Sequence, residues 1–119
     1  MKVSKAYFER FKKEFLYWQK ELGLTQYNVA FFHEKIENEY AKISTNEMAK
    51  NADVFLCTEI KDGSLEADLG PESHGRHEVI HLLLNRIVWL GNKRYIETSD
   101  LDEEWESLVV RLEKVLKHI

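Results

Sequence analysis

Five consecutive residues, His77-Glu78-Val79-Ile80-His81, constrain this chain more than any others. The H-E-x-x-H spacing has chemical meaning only on an α-helix, where residues four apart stand one turn above each other on one face. Both imidazoles can then reach one zinc ion at ~2.0–2.1 Å. Glu78 projects about 100° further round the helix, close enough to take a proton from a zinc-bound water without being a ligand. The surrounding run HEVIHLLLNRIVWL meets the demand for a helix. Ile80, Leu83, Leu84 and Ile87 recur at helical spacing, and Gly91-Asn92 supplies a stop. Two histidines and a glutamate falling together by chance would need no such apolar helix around them. The pattern therefore points to zinc and to hydrolysis of a peptide bond.

The rest of the chain reads as a frame for that helix. Ser4 can cap a first helix whose apolar positions are Phe8, Phe11, Phe15, Trp18 and Leu22, with Gly23 just past its end. Lys and Glu residues between them make a mixed-charge outer face, so the aromatic stripe reads as core and not as a base-stacking platform. Tyr27–Glu34, Tyr40–Thr45 and Asp53–Ile60 alternate with the period of strands, and Leu65–Asp68 is a candidate short fourth. Adjacency in sequence favours a mixed or mostly antiparallel meander. Gly70-Pro71 opens the motif helix, because proline suits a first helical position. Gly91–Thr98 is a loop. Ser99 then opens a last helix with an apolar face of Leu101, Trp105, Leu108, Val109, Leu112 and Leu116. The expected fold class is α+β: a helix, a three- to four-stranded sheet, the motif helix and a final acidic helix, over residues 1–119 as a single domain.

Composition narrows the function classes. The net charge of −4 gives no general reason to expect nucleic acid or an anionic membrane as partner. Charge is nonetheless uneven: Met1–Leu22 is mostly basic, and Glu97–Glu113 carries seven acids against one arginine. Cys57 is the single cysteine, which removes disulfide frameworks and cysteine-based zinc sites. No apolar run has the length of a membrane span, and the N-terminus lacks a signal-peptide core, so the expectation is a cytoplasmic protein. Oligomeric state is not legible.

A catalytic zinc takes three protein ligands and keeps one open position. The extended H-E-x-x-H-x-x-G-x-x-H pattern is absent, with Leu84 and Ile87 where its glycine and third histidine would stand. His74 falls near the helix start and His118 at the terminus. A carboxylate of the last helix is the better source, from Asp102, Glu103, Glu104, Glu106 or Glu113. Glu106 is the expected ligand, because the apolar residues after it pack most firmly and fix it at least entropic cost. The other acids stay open. Tyr95 and His74 are candidate donors to an oxyanion.

HEVIHLLL followed by an acidic helix ending WESLVVRLEKVL resembles the gluzincin group of zinc peptidases. More narrowly, it is similar to the minigluzincins and to small metallopeptidases carried by tailed phages. The resemblance implies a minimal zincin-like layout and an intracellular setting in a host cell. It implies His77 and His81 as zinc ligands, Glu78 as the base, and Glu106 as the glutamate-helix ligand. No N-E-x-x-S-D or E-x-x-A-D signature stands on the last helix, which departs there from larger gluzincins. The expected partner is a peptide or protein substrate. The competing class is a zincin scaffold that binds zinc for recognition, without useful turnover.

Overall fold

The computed structural model describes residues 1–93 and 97–116. Six elements follow in order: α1 (Lys5–Glu21), β1 (Asn28–His33), β2 (Ala41–Asn46), β3 (Asn51–Leu56), α2 (Leu65–Gly91) and α3 (Thr98–Leu116). The class is α+β, with three helices and a three-stranded mixed sheet.

Helix α1 begins where the Ser4 side chain accepts a hydrogen bond from the Tyr7 amide. It ends where Gly23 takes φ +70°, a left-handed value that favours glycine. Phe11 and Phe15 are wholly buried. Gln19, also buried, donates to the carbonyls of Leu24 and Tyr27 at 3.1 Å each, fixing the turn into β1. A lone buried amide would be costly; here both of its N–H groups are used.

The strand order is β1-β3-β2, which corrects the expected meander. β3 pairs antiparallel with β2 through a hairpin and parallel with β1, from Asn28↔Asn51 to His33↔Leu56. The reason lies in burial. Ala52, Val54 and Leu56 are the most apolar alternating set of the three strands and lie at 0–1 % exposure. Such a strand belongs in the centre, between neighbours on both sides. β1 and β2 are left as the two outer strands. The end of the predicted third strand is not sheet proper: beyond Leu56, the chain meets the N-terminus through a single Lys2↔Glu59 bridge.

No fourth strand forms at Leu65–Asp68. Ser64 accepts a hydrogen bond from the Ala67 amide, and the segment coils as the first turn of α2. The helix breaks at Gly70 (φ 81°, ψ 170°) and resumes at Pro71. Proline therefore opens the motif segment as its fixed φ allows.

α2 crosses α1 at Gly75. A Cβ built there would lie 2.7 Å from the Phe11 carbonyl oxygen and 3.1 Å from the Glu14 Cβ. The backbones touch, and only hydrogen fits between them. Gly75→Ala should therefore cost stability despite alanine's better helix propensity of about 1 kcal/mol. Overpacking against backbone outweighs that gain, and a net loss of roughly 2 kcal/mol is expected in urea unfolding. An unchanged or raised midpoint would show that the helices separate easily.

Leu82 and Val79 point from α2 into the core formed with Phe11, Phe15 and Val54. His77 and His81 lie off this core face and are exposed, while Glu78 is buried one turn from Leu82. Among the described residues, no helix is long and apolar enough to cross a membrane.

Candidate metal centre

His77 and His81 come together as their spacing demands. Their Nε2 atoms lie 3.1 Å apart, with ring centroids at 4.8 Å. Two nitrogens bound to a tetrahedral ion at ~2.0–2.1 Å sit roughly 3.3–3.4 Å apart, so the pair needs only a small adjustment to hold one. Both rings are solvent-exposed. Zinc fits this pair in donor type and in separation.

Glu78 lies beside them under different conditions. It is 4 % exposed, yet its side chain lines the same cavity as both histidines. It makes no hydrogen bond or ion pair among the described residues. Burial pushes its carboxyl up, and the negative charge of Glu39 adds to this, to about 7. A carboxylate raised to that range is a stronger base than an ordinary one.

The other wall of the cavity is the outer strand. Ala41, Lys42 and Ile43 of β2, with Glu39 just before them, face His77, Glu78 and His81 across a space of about 320 Å³. Among the described residues β2 pairs with β3 alone, and its far side carries no strand. A buried polar cluster holds β2 in place against α2. The Thr45 hydroxyl donates to Asn85 Oδ1 at 2.6 Å, and Asn85 Nδ2 donates to Glu47 at 2.8 Å. Tyr27 donates to Glu47 at 2.5 Å, and Lys50 bonds it too. Burial alone would raise the Glu47 carboxyl, but hydrogen bonds from Lys50, Tyr27 and Asn85 outweigh it and hold it below the usual range.

Glu106 was expected as the third ligand. Glu106 is exposed on α3, and among the described residues no third His, Cys, Asp or Glu joins the histidine pair in a metal-binding group. The acid that α3 turns inward is Glu104, 7 % exposed, which accepts from Arg86 Nε at 3.1 Å. Its Oε1 is buried without a hydrogen-bond partner. The helix face was misjudged for a physical reason. Trp105, Val109 and Leu112 look like its core stripe but are exposed, while Glu104 and Leu108 point inward. Arg86 of α2 draws Glu104 in, and an ion pair between helices leaves no trace in apolar periodicity.

His74 is buried, and its Nε2–H donates to the Glu66 carbonyl at 2.9 Å, tying the turn before the Gly70 break to the motif segment. That ring nitrogen is therefore engaged in positioning backbone. Tyr95 and His118 lie outside the described residues. Sequence reading missed Glu39 and the Glu47 cluster, because nothing local marks a residue whose importance comes from a strand docking on a helix. No protein-family model, curated protein or solved structure matches this chain.

Proposed function

We propose that this chain is a zinc-dependent peptide hydrolase. The observation carrying it is the convergence of the His77 and His81 Nε2 atoms beside a buried, unpartnered Glu78. The chemistry that zinc would supply when bound there is acidification of a water and polarisation of a carbonyl. His77 and His81 are proposed as two of its ligands and an acid of α3 as the third. Glu106 is the residue expected from sequence, and Glu104 is the one already turned toward α2.

The chain's own groups divide the remaining work. Glu78, as carboxylate, takes the proton of the attacking water and returns it to the leaving amine. Its burial, with no partner to hold it ionised, favours taking up that proton. The substrate is proposed to lie extended along the free side of β2, bonded backbone to backbone, which brings its carbonyl over the histidines. Asn85 and Glu47 keep that strand at a fixed height above α2.

The second reading, a zinc-binding interaction module without turnover, is favoured by the exposed position of Glu106. Glu78 argues against it, since a structural ion needs no buried base. Incubating the zinc-loaded chain with denatured protein, with and without a chelator, tests the proposal. Cleavage that chelation stops and added zinc restores is expected. A chain that carries one zinc and cleaves nothing would select the second reading.

A further inference from the structure

A second cavity, of about 340 Å³, opens beside the histidines. Its walls include Glu39 and Tyr40 ahead of β2, and Glu66, Leu69, Ser73 and Glu78 of α2. No lysine or arginine lines it.

Three acids of the helices are paired with arginines. Glu14 pairs with Arg76, Glu72 with Arg10, and Glu104 with Arg86. Buried Glu47 has Lys50 and Arg86. Glu39 and Glu66 have no ion pair or side-chain hydrogen bond among the described residues, and what sets them apart is their place in this cavity. Both line one cavity, and Glu78 forms part of it as a third carboxyl, nine-tenths buried and without a partner. A concave surface with one sign of charge and an apolar wall concentrates the opposite charge. Leu69 and Tyr40 offer that wall to a methylene stem, while the acids await the cationic head.

We propose that this cavity is a subsite for a lysine or arginine side chain adjacent to the scissile bond. The inference rests on the hydrolase reading for its placement beside a scissile bond, but the cavity's preference for a cation can be measured without turnover. Glu39 borders both this cavity and the histidine cavity, so a side chain seated here belongs to a residue next to the one over the metal.

The test uses the full chain with one equivalent of zinc and two blocked tripeptides, acetyl-Ala-Lys-Ala-amide and its norleucine counterpart. Titration calorimetry should show the lysine peptide binding roughly 5-fold more tightly at low salt, a difference that shrinks as salt is added. Glu39→Gln combined with Glu66→Gln should abolish the difference while zinc content stays at wild-type level. Equal affinities for the two peptides in wild type, or a lysine preference that survives the double substitution, would overturn the subsite. Mass spectrometry of the same mixtures separates the two proposals. Lysine preference without cleavage leaves the subsite and retires the hydrolase; cleavage indifferent to lysine does the reverse.

Discussion

Replacing Glu78 by glutamine should lower turnover by about 10²–10⁴-fold, the range associated with a positioned general base. Size and shape are kept, and the histidine pair is untouched, so zinc content should stay at the wild-type level. The same substitution has a second effect that needs no substrate. A carboxyl whose folded-state pKa lies above its unfolded value favours folding while protonated. For Glu78 that contribution is present below about 4.5 and is lost as pH rises through about 7. The span corresponds to roughly 3 kcal/mol at 1.36 kcal/mol per unit, an upper figure for a group whose surroundings can relax. Zinc-free Glu78→Gln should therefore gain stability over wild type at pH 8 that it lacks at pH 4. Denaturant melts at the two pH values measure this. A stability difference independent of pH would mean that Glu78 is not held in an apolar site. Undiminished cleavage by Glu78→Gln would remove it from the chemistry.

Substituting both histidines should have the other large effect. His77→Ala with His81→Ala removes both nitrogens that meet at 3.1 Å, and retained zinc after dialysis should fall from about one per chain to nearly none. Both rings are exposed, so the fold should survive, with far-ultraviolet dichroism close to wild type. Full zinc retention in this variant would place the metal elsewhere and end the hydrolase proposal.

What could be read from sequence was what local spacing determines. The aromatic stripe of α1 set its inward face, and HEVIH on an apolar helix required the two rings to meet. The strand order was not readable, because sequence adjacency favours β1 beside β2. The greater burial of Ala52, Val54 and Leu56 instead puts β3 between them. Leu65–Asp68 had strand-like alternation, but Ser64 capping turned it into helix. On α3, counting apolar residues chose the stripe through Trp105. The preference of Arg86 for Glu104 chose another, and with it the acid that faces α2. Burial of Leu108 and the Arg86–Glu104 ion pair together set that face.

The strand order has a consequence for assembly. β3 is the last strand made and occupies the middle position, so the sheet cannot grow by adding each new strand at a margin. The β2–β3 hairpin is local, closed by the turn between Asn46 and Asn51, and can form early. Its docking onto β1 joins residues 23 apart in sequence, as in Asn28↔Asn51, and is the slower, entropically dearer event. Until it occurs, β1 has no strand partner and the proposed substrate strand has no fixed place over α2. Competence at the histidines is thus coupled to completion of the sheet.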